Sequence, residues 1–206
     1  MPLKKRPLDR DSGVLRDARL IVIASEDTYA VADYFKRFRT RRLQFIIIPT
    51  EGGQSSPEDV ARRLDEFKRE FQTEPDDQFW FCIDKDHWAN SGHIDALVQV
   101  LQHCRQAGFR TAISNPCFEL WLLLHFEDPK LPPDCKCSEI GRRLSTIAGG
   151  YNKTACDRLP IDAAMVRDAL SRAKAIENGS VIPDTPLTRV YLIIEVLQER
   201  EAIDLD

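Results

Sequence analysis

Two aspartates, Asp84 and Asp86, follow directly on the apolar run Phe-Trp-Phe-Cys-Ile at positions 79–83. A short apolar run without polar alternation is typical of a strand buried on both faces of a parallel sheet. Because side chains alternate along a strand, we expect both carboxylates on one side, at the sheet edge where such folds bind ligands. Two carboxylates there predict a site for Mg²⁺ or Mn²⁺. Alternatively, both aspartates only begin a turn.

Two glutamates occupy comparable corners of the predicted sheet. Glu26 follows the apolar strand 19–24 and precedes a helix, although an acidic residue there also favours the positive end of the helix dipole. Glu119 lies among Phe, Leu and Trp side chains, just inside an apolar helix that follows another strand. Because a buried carboxylate needs a partner, we expect Glu119 to contact a metal ion or, alternatively, an arginine.

The segment 36–42, which we call the basic segment, is rich in positive charge. Five of its seven residues are cations, namely Lys36, Arg37, Arg39, Arg41 and Arg42. Cations stabilise the C-terminus of the preceding helix, which accounts for part of this charge. Five cations exceed what capping needs, so we predict a patch that faces an anion such as a nucleic-acid backbone.

A sheet and its helices must position these residues. Apolar runs predict four strands, at 19–24, 43–49, 79–83 and 109–113, and helical periodicity predicts a helix after each of them. This strand–helix order predicts an α/β fold with a mostly parallel sheet that is covered by helices on both faces.

Polar residues mark the expected starts of three of these helices. Thr28 is the expected N-cap of the first helix. Ser56 and Asn115 each precede a proline, and a capping residue followed by proline is typical of a helix start. The predicted caps Thr28 and Asn115 place Glu26 and Glu119 at junctions between a strand and a helix.

The composition excludes several classes of protein. The 206 residues carry a net charge of -4, so the overall charge does not predict nucleic-acid binding. No run approaches the ~20 apolar residues of a membrane span, and we expect a cytoplasmic protein whose six cysteines are reduced. Cys135, Cys137 and Cys156 could form part of a zinc site, but they lack the usual C-x₂-C spacing and an obvious fourth ligand.

Three segments are predicted along the chain. Residues 1–17 are polar and basic and are expected to form a flexible arm. Residues 18–128 form the α/β core, which ends at a polar stretch rich in proline. Residues 129–206 form a helical extension packed on that core, with amphipathic helices at 161–176 and from 189 to about 200.

The order of the acidic corners resembles a known arrangement. A Glu after the first strand and Asp-x-Asp after a later strand is similar to the Toprim domain of topoisomerases, primases and nucleases of the overcoming-lysogenization-defect type. In this chain the corresponding residues are Glu26, Asp84 and Asp86.

A more specific resemblance covers about residues 19–198. The segment 114–126, Ser-Asn-Pro-Cys-Phe-Glu-Leu-Trp-Leu-Leu-Leu-His-Phe, resembles the signature of the RloB-like family of prokaryotic defence proteins. Tyr151-Asn-Lys153 is similar to the family's Tyr-x-Lys element, and Pro186-Leu-Thr188 is similar to its late Asn-Pro-x-Thr.

The chain also departs from the family pattern. The stretch 25–35 matches only loosely the family's Glu-Gly-Glu followed by Tyr-Phe, with Asp27 in place of the glycine and Val31 at a further acidic position. Thr185 stands where the late motif has Asn. One metal ligand is therefore missing, or Asp27 substitutes for it.

The resemblance implies a Toprim-like nuclease that hydrolyses phosphodiesters with Mg²⁺ or Mn²⁺. It implies that Asp84 and Asp86 hold the ion and that Glu26 is a ligand or a general acid or base. Glu119 would complete a second metal site, and Lys153 would neutralise charge at the transferred phosphate.

The resemblance also implies a biological setting. An RloB-like nuclease would be an antiviral effector of abortive infection that works with a separate ATPase, and it could assemble as a homo-oligomer without any membrane. RNA, such as tRNA, is favoured over DNA by analogy with other defence nucleases.

Two other classes of function stay open. In one, the core is degenerate and the chain is a non-catalytic partner that docks on an ATPase or binds RNA through the basic segment. The altered corner at Glu26 and Asp27 favours this alternative, whereas the presence of the later carboxylates argues against it. The other, a nucleotide-binding regulator, lacks a glycine-rich phosphate loop.

Overall fold

A computed structural model describes residues 2–9, 13–15, 17–38, 40–50, 52–86, 88 and 94–199. Its strands are β1 Arg19–Ser25, β2 Leu43–Ile48, β3 Gln78–Asp84, β4 Arg110–Asn115 and β5 Leu187–Thr188. Its α-helices are α1 Ala30–Phe35, α2 Pro57–Glu70, α3 Ile94–Ala107, α4 Glu119–Leu124, α5 Cys137–Ile147, α6 Ala163–Ala175 and α7 Tyr191–Glu199. Two 3₁₀ helices span Lys36–Phe38 and Lys153–Arg158.

The strands form one sheet in the order β2-β1-β3-β4-β5. β1 pairs in parallel with β2 and with β3, and β5 pairs antiparallel to β4. The predicted α/β fold with a mostly parallel sheet is confirmed. β5 was not predicted, because its two residues lie in a turn rich in proline and carry no strand periodicity of their own.

The central strands are buried along almost their whole length. In β1 every residue after Arg19 is buried, and in β3 every residue after Gln78 is buried. Side chains alternate between the two faces of a strand, so both faces of β1 and β3 are covered. This burial is the physical reason for their unbroken apolar sequences.

The chain divides into two compact units. The first contains residues 1–82 and 95–111, and the second contains residues 83–94 and 112–206. This division passes within β3 and β4, and the boundaries predicted at residues 17 and 128 stay a prediction.

In the first unit, the segment predicted as a flexible arm is anchored where the structure describes it. The backbone of Lys4 bonds to the carbonyl of Glu70 and to the N–H of Gln72, at 2.7 and 2.8 Å. The guanidinium of Arg6 donates a 2.5 Å hydrogen bond to the buried carboxylate of Asp77. These contacts fix the arm's described residues, because backbone pairing and a buried ion pair both oppose release.

The starts of α1 and α2 test two predicted caps. Ser56 caps α2 as predicted, since its hydroxyl accepts a 3.1 Å hydrogen bond from the N–H of Asp59. Thr28 does not cap α1. Instead, Oδ1 of Asp27 accepts a 2.5 Å hydrogen bond from the N–H of Ala30. The helix α1 thus begins at Ala30, two residues after the predicted cap Thr28, and is shorter than the sequence predicted.

In the second unit, α4 is the most deeply buried helix among those described. All six of its residues are buried, as predicted from a sequence that is apolar almost all round. Both α5 and α6 pack against α4, and α6 also packs against α7. Throughout the described part of the chain, no helix combines the length and the apolar character needed to cross a membrane.

Candidate active site

Asp84, the last residue of β3, is held in a fixed position within the second unit. It is 7% exposed, and its Oδ1 accepts a 2.9 Å hydrogen bond from the N–H of Phe118, the residue before α4. Asn115, the predicted N-cap of this helix, does not cap it, because α4 begins only at Glu119. The carboxylate of Asp84 therefore satisfies a donor at the helix start.

Beyond β3, the backbone continues alongside the end of β4. The N–H of Lys85 donates to the carbonyl of Ser114 at 2.8 Å, and the N–H of Asp86 donates to the carbonyl of Pro116 at 3.1 Å. The side chain of Asp86 is half-buried. Two hydrogen bonds therefore fix the backbone that carries the second predicted carboxylate.

Asp86 lines a pocket of about 500 Å³ in the second unit. Four other charged side chains line the same pocket, namely Lys85, Asp134, Lys136 and Asp184. The two additional aspartates were not predicted, because each lies in a loop where aspartate is a common turn residue. Carboxylate oxygens and ammonium groups around one pocket suit a divalent cation together with a phosphate.

Glu119, the first residue of α4, has the partner that its burial requires. The carboxylate is 4% exposed, and its Oε1 accepts a 3.1 Å hydrogen bond from the hydroxyl of Tyr151. The ammonium of Lys153 lies 3.6 Å from the same oxygen. The partners of Glu119 are thus a tyrosine and a lysine, and not the arginine that the sequence suggested as an alternative. A role for Glu119 and Lys153 in metal or phosphate binding stays a prediction.

Two cysteines contact this corner of the second unit. Cys117 and Cys137 form a disulfide, so the expectation of six reduced thiols is wrong for these two. Sγ of Cys137 lies 3.5 Å from Oε2 of Glu119. Cys117, Glu119 and Cys137 are the sole group of three or more potential metal ligands that comes together within the described ranges. The zinc set considered from the sequence, with Cys135 and Cys156, does not come together.

The remaining four cysteines are buried and do not belong to this disulfide, namely Cys82, Cys104, Cys135 and Cys156. Burial raises the pKa of the Cys104 thiol to about 12. Burial also raises the pKa of Cys135, and its contact with the carboxylate of Glu139 adds to the increase. Both thiols stay protonated near neutral pH, which makes them poor nucleophiles.

The end of β4 is tied to the segment that precedes α7. Asn115 donates through Nδ2 to the carbonyls of Pro183 and Thr185, at 3.2 and 2.8 Å. The hydroxyls of Ser114 and Thr188 are 2.8 Å apart in the pairing of β4 with β5. Two distant stretches of sequence, 114–115 and 183–188, are therefore bonded to each other, and the first of them also bonds to the backbone of Lys85.

Glu26 and Asp27 belong to the first unit, just after β1. Glu26 is half-buried, and its carbonyl accepts a 2.8 Å hydrogen bond from the hydroxyl of Thr50. The guanidinium of Arg63 donates to the carbonyl of Ser25 at 2.7 Å. Because the carboxylate of Asp27 bonds to the N-terminus of α1, Asp27 is engaged in capping. A role for Glu26 as a ligand or as an acid or base stays a prediction.

The first two cations of the basic segment contact α1. Lys36 forms an ion pair of 2.5 Å with Asp33, which is one turn earlier. The guanidinium of Arg37 bonds to the carbonyl of Tyr34 at 2.9 Å and lies 4.8 Å from the centre of its ring. Part of the charge of the basic segment therefore stabilises the end of α1, as expected from the sequence.

The last cations of the basic segment face solvent where they are described. Arg41 and Arg42 are exposed, and Nε of Arg41 donates a long 3.4 Å hydrogen bond to the carbonyl of Gly13. Arg39 lies outside the described residues. A nucleic-acid contact of the basic segment stays a prediction.

The α/β fold with its mostly parallel sheet agrees with the fold expected of a Toprim-like protein. The family model described as RloB-like protein matches residues 21–197. The chain therefore belongs to the RloB-like family, as its signature segments indicated. No match was found among curated proteins or among solved structures.

Proposed function

We propose that this chain is a nuclease that depends on Mg²⁺ or Mn²⁺ and hydrolyses phosphodiester bonds. The observation that supports it best is the placement of Asp84 and Asp86 at the carboxyl end of β3, with Asp86 lining a charged pocket of about 500 Å³. Ligands of open α/β sheets bind at such strand ends.

The residues of this pocket fit a hard divalent cation. Mg²⁺ and Mn²⁺ prefer oxygen ligands, and Asp86, Asp134 and Asp184 line one open volume without converging to within 4.8 Å of one another. This spacing suits an ion that is held by one or two carboxylates and keeps several of its waters. In our proposal Asp84 and Asp86 hold the ion, which when bound polarises the scissile phosphate and activates a water molecule.

The cationic residues of the second unit would bind the phosphate of the substrate. Lys85 and Lys136 line the pocket and would offset the charge of a phosphodiester. Lys153, held beside Glu119 at 3.6 Å, would neutralise the charge that develops at the transferred phosphate. Glu119 would complete a second metal site.

The proposed substrate and setting rest on membership of the RloB-like family. We favour RNA over DNA, with the exposed arginines Arg41 and Arg42 contacting its backbone. The protein would act in the cytoplasm as an antiviral effector of abortive infection. It would work with a separate ATPase and would associate with further copies of the same chain.

A non-catalytic partner is the second candidate, and one observation favours it. Asp27 replaces the glycine of the family pattern, but its carboxylate is bonded to the N–H groups of Tyr29 and Ala30. A metal ion at Asp27 would compete with two N–H groups for Oδ1, whereas at Asp84 it would compete with the N–H of Phe118. Such a partner would bind RNA or an ATPase without cleaving a phosphodiester.

Cleavage of total tRNA and of plasmid DNA by the purified full chain tests the proposal. Reactions contain Mg²⁺, Mn²⁺ or a chelator, and each is run with the wild type and with Asp86→Asn. Asp168→Asn is the matched control, because Asp168 is an exposed carboxylate on α6 in the same unit. We expect cleavage of tRNA that needs the metal, persists in Asp168→Asn and is lost in Asp86→Asn.

The results separate the two candidate functions. Absence of cleavage together with absence of Mn²⁺ binding in calorimetry would contradict the nuclease and favour the non-catalytic partner. Preferential cleavage of plasmid DNA would retain the nuclease and overturn the choice of RNA. Equal cleavage by the wild type and Asp86→Asn would show that the active site lies elsewhere or belongs to a contaminant.

A further inference from the structure

Two sulfur atoms that have no role in the proposed nuclease lie beside a buried carboxylate. Sγ of Cys117, Sγ of Cys137 and a carboxylate oxygen of Glu119 all lie within 4.8 Å of one another. Glu119 is 4% exposed, and the hydroxyl of Tyr151 fixes its other oxygen at 3.1 Å. The three residues come from the approach to α4, from α4 itself and from the first turn of α5.

We infer that this cluster is a zinc site that depends on the redox state of the two cysteines. In the reduced protein, Cys117, Cys137 and Glu119 bind Zn²⁺, and in the oxidised protein the two cysteines form the disulfide of this structure. Three protein ligands match the open type of zinc site, which keeps its fourth position for water or a ligand. The inference shares Glu119 with the second metal site of the proposed nuclease, but its test measures thiolate absorption and not cleavage.

The ligand chemistry distinguishes this cluster from the pocket that contains Asp86. Thiolates are soft ligands that select Zn²⁺, whereas carboxylate oxygens and waters suit Mg²⁺ and Mn²⁺. The buried carboxylate adds one hard ligand of the kind found in zinc sites with mixed ligands. Zn²⁺ is therefore the cation expected at the sulfurs, and Mg²⁺ is not.

The two sulfurs differ in access to a reductant. Cys137 is half-buried and lines the pocket of about 500 Å³, whereas Cys117 is 1% exposed. One thiolate of a dithiol reductant attacks Sγ of Cys137, and Cys117 departs as a thiolate that takes up a proton. The second thiol of the reductant then displaces Cys137, which yields two cysteine thiols and the oxidised reductant.

Binding and reoxidation complete the cycle. Zn²⁺ displaces one proton from each cysteine thiol when it binds. Oxidised glutathione reverses the reduction by the same exchange, in which the cysteines regain their disulfide and two glutathione thiols are formed. The cation cannot be retained by the oxidised form, because disulfide sulfurs carry no thiolate.

Cys135 provides a matched control for this site. It lies two residues before Cys137 and is buried, but its sulfur contacts the carboxylate of Glu139 at 3.5 Å. It does not belong to the cluster of Cys117, Glu119 and Cys137. Replacing Cys135 by serine removes a thiol from the same neighbourhood and leaves the proposed ligands in place.

Titration of the full chain with Co²⁺, before and after reduction by a phosphine, tests the inference, because a bond between Co²⁺ and thiolate absorbs in the near ultraviolet. We expect this absorption only after reduction, at one Co²⁺ per chain and displaceable by Zn²⁺. Cys117→Ser and Cys137→Ser should weaken binding at least about tenfold, because each removes an inner ligand. Glu119→Gln should weaken binding while retaining the thiolate absorption, and Cys135→Ser should match the wild type.

Two results would overturn the inference. One is the absence of thiolate absorption when Co²⁺ is added to the reduced wild type. The other is an equal loss of affinity for Co²⁺ in Cys135→Ser and in Cys117→Ser. If a serine variant does not fold, the reduced wild type and Glu119→Gln decide the question. Asp86→Asn should leave the thiolate absorption unchanged, so a failure of the nuclease proposal is distinguishable from a failure of the zinc site.

Discussion

The N–H of Phe118 donates a 2.9 Å hydrogen bond to Oδ1 of Asp84. The bond joins the last residue of β3 to the residue before α4, the helix that begins with Glu119. One carboxylate therefore lies at the predicted metal site and also secures the start of a buried helix. Substitutions of Asp84 should separate these two roles.

Asp84→Asn should retain most of the stability of the wild type, whereas Asp84→Ala should not. The amide oxygen of asparagine still accepts from the N–H of Phe118. Alanine removes the acceptor of a buried N–H, which costs about 1–3 kcal/mol in the free energy of unfolding. Urea denaturation followed by circular dichroism measures the difference. Equal midpoints for the two variants would show that this hydrogen bond does not stabilise the fold.

Asn115→Asp should destabilise the chain, because Asn115 acts as a donor. Its Nδ2 donates to the carbonyls of Pro183 and Thr185, and a carboxylate has no hydrogen to donate. We expect a loss of about 1–3 kcal/mol in the free energy of unfolding, since the carboxylate would also face two carbonyl oxygens.

Asn152→Asp is the matched control for this prediction. The side chain of Asn152 accepts a 3.0 Å hydrogen bond from the N–H of Thr154, and aspartate preserves that bond. Its midpoint in urea should stay close to that of the wild type. A larger loss in Asn152→Asp than in Asn115→Asp would contradict the role assigned to the donor.

The ion pair of Glu177 and Arg189 should make stability depend on pH. Hydrogen bonds from the guanidinium of Arg189, at 2.8 and 3.0 Å, hold the pKa of Glu177 below its ordinary value. The folded pKa therefore lies below the unfolded pKa. The resulting stability is complete above the unfolded pKa and is lost as the pH falls through the folded pKa.

Urea midpoints between about pH 7 and pH 3 measure this contribution. Glu177→Gln should cost about 1–2 kcal/mol near neutral pH and lose less stability than the wild type on acidification. The control is Asp168→Asn, which alters a carboxylate that is 61% exposed and pairs with Arg172 at 3.3 Å. Identical pH profiles for the wild type and Glu177→Gln would refute the assignment.

Arg41→Ala/Arg42→Ala should weaken the binding of single-stranded RNA if the basic segment contacts phosphates. Both arginines are exposed, so the substitution should leave the fold intact. In a plot of log affinity against log salt concentration, loss of two phosphate contacts should reduce the magnitude of the slope by about 1 to 1.5. Fluorescence anisotropy at several salt concentrations measures the slope. Arg105→Ala/Lys130→Ala, which removes two other exposed cations, should keep the slope of the wild type.

The strands and several helix starts could be predicted because their signals are local. The apolar runs of β1 and β3 reflect burial on both faces, and the Ser56 cap needs only the N–H of Asp59 three residues later. The burial of Glu119 also follows from its neighbours in the sequence. Each of these features depends on residues within one or two turns of the chain.

Features that depend on distant residues could not be predicted. Cys117 and Cys137 are 20 residues apart, and no spacing rule distinguishes that pair from the other cysteines. Asn115 has the sequence pattern of an N-cap, but in the structure its amide bonds to carbonyls about 70 residues later. Asp134 and Asp184 join Asp86 only because the chain folds back to one pocket.

Binding of Mn²⁺ to the full chain, measured by calorimetry, tests the central claim most directly. The proposal predicts binding in the wild type and in Asp168→Asn, and its loss in Asp86→Asn. The fold of each variant is checked by circular dichroism, since Asp86 is only half-buried and its substitution should be tolerated. Equal Mn²⁺ binding by the wild type and Asp86→Asn, or no binding by either, would contradict a metal-dependent active site at the end of β3.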